Sequence, residues 1–196
     1  VNSRLQSLFP FRLLSGEDKK LLMVVGGIGV LQGYSQAHLS ALVPFTRAAL
    51  AVSEGGMSAI LSITRLASLG AIVFSLWGDR TGRRRPYLAA ILLLIASTTL
   101  TAATRSAAEF TVLQSLGRVA SAAVGTLGAV LVAESITPRF RAFGIGVFAA
   151  AASFGAGGGQ LMLLVADNGP QAWRIPFAAT AVGVIALPWF WRLTES

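Results

Sequence analysis

Six mostly apolar stretches, 21–45, 55–78, 86–104, 110–133, 142–166 and 175–191, follow one another along the chain with short polar breaks between them. A helix rises about 1.5 Å per residue, so about 20 apolar residues cross the ~30 Å hydrocarbon core of a bilayer. The pattern predicts six transmembrane helices. The breaks carry residues that end helices or belong in water: Pro44 with Arg47 and Glu54, the run 79–85 ahead of Pro86, Arg105 to Glu109, 134–141 around Pro138, and 167–174 with Gly169-Pro170. Such short connections make consecutive helices antiparallel neighbours. The last stretch is the shortest, with Trp173, Trp189 and Trp191 placed as interfacial anchors would be. Upstream, Leu5, Leu8, Phe9, Leu13 and Leu14 alternate with Arg4, Gln6 and Arg12, which predicts a short interfacial helix within residues 1–20. The expected fold is an all-α integral membrane bundle over 21–192, followed by a polar segment at 193–196.

Composition removes the alternatives. The 196-residue chain is 54% hydrophobic and 12% charged, where soluble domains run at about 45–50% and about 25%. A soluble enzyme of this size needs more polar surface than the chain has. There are 16 Lys+Arg against 8 Asp+Glu, a net charge of +8. In a soluble domain that excess points to nucleic acid; between membrane spans it is the positive-inside bias, and no nucleic-acid partner is expected. Arg4, Arg12, Lys19, Lys20, Arg80, Arg83, Arg84, Arg85, Arg139, Arg141 and Arg192 gather on one side, against Arg47, Arg105 and Arg174 on the other. That count predicts a multi-pass protein of the plasma or inner membrane with both ends in the cytoplasm. With no cysteine and one histidine, no disulfide, metal site, cofactor or enzyme activity is expected.

The remaining two arginines lie inside spans. Span two carries a polar stripe of Ser58, Ser62, Arg65, Ser68, Ser75 and Asp79. Arg65 and Asp79 are 14 residues apart, about 40° short of whole turns, and so face the same way. Span four has Gln114, Ser115, Arg118 and Ser121 on one face; span one has Gln32, Ser35 and Gln36 together, with Tyr34 and His38 on an adjoining face. A central arginine costs about 2.5–3.5 kcal/mol on the insertion scale, and no Asp or Glu lies deep in these spans to neutralise one. A guanidinium without a partner suits a carboxylate, phosphate or other oxyanion. The expected cavity residues are Arg65, Arg118, Tyr34, His38, Gln32 and Gln36. The plainer alternatives are backbone carbonyls as partners for Arg118 and a core hydrogen bond for His38.

The loop between spans two and three reads Gly78-Asp79-Arg80-Thr81-Gly82-Arg83-Arg84-Arg85. Asp-Arg-x-Gly-Arg-Arg at this place resembles the signature loop of the major facilitator superfamily. Arg118 of span four, the acid-x-x-x-Pro-x-x-Arg element from Glu134 to Arg141, and Ala172-Trp173-Arg174 before span six extend the resemblance over the chain. The chain departs from the pattern at Ser75, where the signature has glycine, and at Ser121 and Ala122, where Gln-Gly is usual; all keep the helix surface small. The resemblance implies the N-terminal six-helix half of a twelve-helix transporter, its partner half in the same polypeptide, a split chain or a second copy. Residues 193–196 would then begin the central cytoplasmic loop. It further implies a gate of Asp79, Arg80, Gly82, Arg83, Glu134 and Arg141, with Asp79 against a helix N-terminus of the other half and both Arg83 and Arg141 able to pair with Glu134.

Gly146, Gly155 and Gly159 match the first half of a facilitator antiporter glycine motif, which implies close helix packing; Gln160 and Leu163-Leu164 break its second half. Gln32-Gly33-Tyr34-Ser35 has the layout of an Asp-Gly-Tyr-Asp element without its acids. The expected function is secondary active transport of a small anionic organic solute by alternating access. Efflux of drugs or metabolites, or a scaffold or sensor on the same fold, are the alternatives.

Overall fold

The structure, a computed structural model, describes residues 13–188, and those residues form helices and turns without a strand. Six helical rods follow the order of the apolar stretches. The first, α1, runs Gly16–Ala41. It begins where Ser15 Oγ accepts a hydrogen bond from the Asp18 amide at 3.0 Å, and Glu17 and Asp18 place negative charge on its first turn. After Leu42 it continues as Val43–Ala49, with Pro44 in the first turn, where a missing N–H costs nothing. The turn to the next rod uses Ala51 at φ 51°. The second, α2, spans Glu54–Thr81 and tightens to a 3₁₀ turn at Ser68–Gly70. There the Ser68 hydroxyl donates to the Arg65 carbonyl at 2.6 Å. Such back-bonding bends helices.

Then come α3 (Arg84–Thr101), α4 (Ala107–Ser135, capped by Ser106), α5 (Pro138–Ala166) and α6 (Arg174–Ile185). By length and apolarity alone, α2, α4 and α5 are able to cross a membrane, while α6 is apolar but shorter. The others fall short for visible reasons. Gln32, Ser35, Gln36 and His38 dilute the second half of α1, and the first turn of α3 holds Arg84 and Arg85. The interfacial helix expected before span one and the end of span six with Trp189 and Trp191 lie largely outside the described residues.

The rods assemble around α1 and α4. α1 packs most extensively on α5, α3 on α4, α2 on α4, and α6 on α3. One core cluster, with Val25, Ile28, Tyr87, Ile91, Val124 and Leu127 at its centre, fills the bundle; a second, around Leu42, Met57, Phe110, Trp173 and Phe177, closes the end at the α1–α2 and α5–α6 turns. Trp173 is part of that core, 1% exposed, and is no interfacial anchor: its ring meets Phe177 edge-on and lies under the Arg174 guanidinium.

The α1–α5 contact is a seam of backbone against backbone. A Cβ on Gly33 would collide with the Ala152 carbonyl, one on Gly155 with the Val30 carbonyl, and one on Gly159 would sit 2.8 Å from the Tyr34 oxygen. Small residues permit this approach, and dispersion contacts then hold the helices together. Gly146 takes no part, contrary to the packing role its motif implies. It is nine residues before Gly155, half a turn round the helix, and a Cβ there would meet nothing within 4 Å.

Candidate anion site and gate

Where α1 faces α4, two amides converge on one hydroxyl. Gln32 Nε2 donates to Ser121 Oγ at 3.4 Å and Gln36 Nε2 to the same oxygen at 2.9 Å. One turn before Ser121 stands Arg118, half-buried, its Nε enclosed and without a hydrogen-bond partner. Arg65 projects from α2 beside it, exposed, and close enough for the two like charges to repel. No ion pair among the described residues involves either arginine. The result is a polar face across α1, α2 and α4 that carries two guanidinium groups and no carboxylate to neutralise them. Gln114, expected on the same face, is instead buried against α3, donating to Thr101 Oγ1 at 2.9 Å.

Tyr34 and His38 do not join that face. Each is two residues from a glutamine of the clamp, about 200° round the helix, so the pair points to the other side of α1. The Tyr34 hydroxyl donates to the Pro176 carbonyl of α6 at 2.8 Å. His38 is fully buried; its Nδ1 lies 2.8 Å from the Tyr34 oxygen and its ring packs edge-on against Phe177. The ring therefore sits in the core, hydrogen-bonded through Nδ1, while its Nε2 is enclosed without a hydrogen-bond partner.

At the opposite end of α2 the motif loop turns on Gly82, whose φ of +87° lies in the region that side chains disfavour. The turn brings Arg83 back over Gly78 to meet Asp79 at 2.5 Å and Glu134, at the end of α4, at 3.5 Å. The guanidinium therefore ties α2 to α4. The hydrogen bond that Arg83 donates to Asp79, with the two acidic charges, holds its pKa above an already high value, so it stays charged. Glu134 is engaged by Arg83, while Arg141 and Arg80 are exposed with no ion pair among the described residues. The six-rod bundle and this charge-closed turn fit a known sequence family: the model for the major facilitator superfamily matches residues 25–196.

The chain belongs to the major facilitator superfamily.

Solved structures agree on the fold of this facilitator bundle. The proton:xylose symporter XylE bound to 6-bromo-6-deoxy-D-glucose superposes with a TM-score of 0.75 at 19% identity, over 93% of this chain and 45% of that one. A D-xylose-proton symporter gives 0.73 at 19% identity, over 88% and 47%. The partially occluded, inward-open xylose transporter XylE from E. coli gives 0.73 at 20%, over 93% and 49%. The chain thus spans about half the length of the transporters it resembles. No curated protein matches it.

Two contacts of the facilitator bundle escaped the sequence reading. Thr137, in the α4–α5 turn, donates to Asp18 Oδ2 at 3.1 Å, fixing the start of α1 beside the Glu134–Arg83 pair. The Ser15-x-x-Asp18 spacing, a capping-box signature, was the available signal. Arg174 donates to the Ala102 carbonyl at 2.5 Å and the Thr104 carbonyl at 2.9 Å, capping α3 from α6. Nothing in the sequence announces that contact, because its partners are backbone atoms about 70 residues away.

Proposed function

We propose that this bundle is one half of a secondary active transporter that moves a small anionic organic solute by alternating access. One observation carries the reading: Arg65 and Arg118 share a polar face, lack a carboxylate, and leave the Arg118 Nε without a partner. A guanidinium in that state has five donors in a planar fork and matches a carboxylate or phosphate. The Gln32–Gln36–Ser121 clamp supplies neutral hydrogen-bonding groups for the rest of the solute.

In this reading the second six-helix half covers the polar face, both chain ends are cytoplasmic, and the protein sits in the plasma or inner membrane. The Asp79–Arg83–Glu134 chain is the cytoplasmic gate, formed in one state and rearranged in the other. A passive scaffold has no need of a charged, glycine-turned contact between two helix ends. Efflux of cations fits poorly with a face that repels them.

Thermal shifts of the purified complete protein test the class of solute. Small carboxylates and phosphate esters should raise Tm, neutral sugars and organic cations should not, and Arg118→Gln should abolish the shift. A sugar that stabilises both proteins equally would replace the anion reading with a neutral one.

A further inference from the structure

On the far side of α1 from the glutamine clamp, a groove of about 700 Å³ runs between α5 and α6 with α1 as its floor. Its walls are carbon, including Met23, Leu31, Phe154, Met162, Val182 and Ile185. Two glycines, Gly27 of α1 and Gly158 of α5, also line it. Unlike Gly33 and Gly155, they are not there to let helices touch: a Cβ on either would meet nothing within 4 Å. Glycine inside a helix weakens it. What these two provide is a bare floor.

The groove has the dimensions of one leaflet. From Met23 to Tyr34 is 11 residues of helix, about 16 Å, against about 15 Å for half of a hydrocarbon core. At its deep end Tyr34 bridges to the Pro176 carbonyl. Beyond the other end stands Lys20, exposed, and spaced 3, 7, 11 and 14 residues from Met23, Gly27, Leu31 and Tyr34. Those intervals put it on the same helix stripe, one turn outside the apolar run. Phe154 in the groove wall is 78% exposed, as befits a side chain whose solvent is hydrocarbon.

We propose that this groove holds one acyl chain of an anionic phospholipid from the leaflet at the basic end of the bundle, with its phosphate against Lys20. The second half of the transporter is not the occupant, because the groove lies half a turn round α1 from the face that the proposed function assigns to that half. The inference rests on that placement of the second half, but it is independent of what is transported.

The complete protein, purified in mild detergent and supplied with phosphatidylglycerol or phosphatidylcholine of identical chains, provides the test, with retained lipid counted by native mass spectrometry. Wild type should retain phosphatidylglycerol preferentially. Gly27→Leu with Gly158→Leu starts two side chains from Cβ positions that meet nothing within 4 Å and puts their bulk into the groove, and should lose the lipid while keeping the Tm of delipidated wild type. Lys20→Gln should keep a chain in the groove but reduce the preference for phosphatidylglycerol about fivefold. If the double variant does not fold, Gly27→Leu alone takes its place beside Lys20→Gln. Undiminished lipid in the filled groove, or no headgroup preference in wild type, would overturn the proposal. So would cross-linking of a cysteine at position 158 to polypeptide in place of lipid.

Discussion

Arg118 and Arg174 show how one residue type serves two purposes in the same bundle. Arg174 is satisfied: it caps the α3 carbonyls at Ala102 and Thr104 and stacks 4.8 Å over Trp173. Arg118 is not satisfied, with its Nε enclosed and Arg65 nearby. Removing the two should have opposite effects on stability. Arg174→Ala should lower the stability of the purified protein by about 1–2 kcal/mol, the worth of a charged cap at a partly buried helix end. Arg118→Gln should leave the solute-free protein as stable or more so, since it removes a desolvated charge and a repulsion. Denaturation of the two variants side by side measures both. At this scale the charged residues were legible, because an arginine inside an apolar run stands out from composition alone. Tyr34 and His38 were not. Periodicity grouped them with each other, but nothing in it told which neighbouring helix their side of α1 would meet.

Among elements, the α1–α5 seam is where spacing and geometry part. A motif of three glycines implies one packing face, yet only Gly155 and Gly159 share it; the nine-residue step leaves Gly146 in open space. Gly155→Ala should therefore force two backbones apart and cost about 1–3 kcal/mol, as overpacking does. Gly146→Ala should be neutral or stabilise by about 0.5–1 kcal/mol, through helix propensity. Thermal unfolding of the two single variants checks the contrast, and equal losses would mean that the seam is misplaced. The existence and order of the six rods were readable from hydropathy, and their approximate limits from the polar breaks at Glu54, Arg105 to Glu109 and Pro138; the serine caps at Ser15, Ser53 and Ser106 are set by the structure. Short loops told partner choice only in part: α3 does pack on its neighbour α4, but α2 lies chiefly along α4 and hardly touches α1. That α1 should lie along α5 depends on matched small residues in helices more than 100 residues apart, which no local pattern reveals.

At the scale of the whole molecule, the bundle leaves two different surfaces unmet: a polar face with Arg65, and apolar flanks on α2 and α5 where Leu66, Leu69, Phe154 and Leu164 are largely exposed. The Asp79–Arg83–Glu134 chain sits at one end of that assembly. Asp79→Asn should loosen it, and a cysteine at the exposed neighbouring position 81 in the complete protein should label faster from the basic side than in the same cysteine protein with Asp79 intact. Unchanged labelling together with unchanged transport would make Asp79 a bystander. The same cysteine, set against one at 167, reports sidedness, since the chain has none of its own. The family was legible here because the motif loop is contiguous in sequence, whereas the polar face is spread over three helices: its members showed as stripes in the sequence, but the Gln32–Gln36–Ser121 contacts appeared only when the helices were packed.

Counterflow of a small labelled carboxylate into proteoliposomes of the complete protein, compared for wild type, Arg65→Lys and Arg65→Gln, tests the central claim most directly. Wild type should exchange the anion. Arg65→Lys should be impaired although it keeps the charge, because an ammonium does not reproduce the planar two-point contact. Arg65→Gln should lose more while remaining folded by Tm. Folded Arg65→Gln protein that exchanges the anion as fast as wild type would contradict the account.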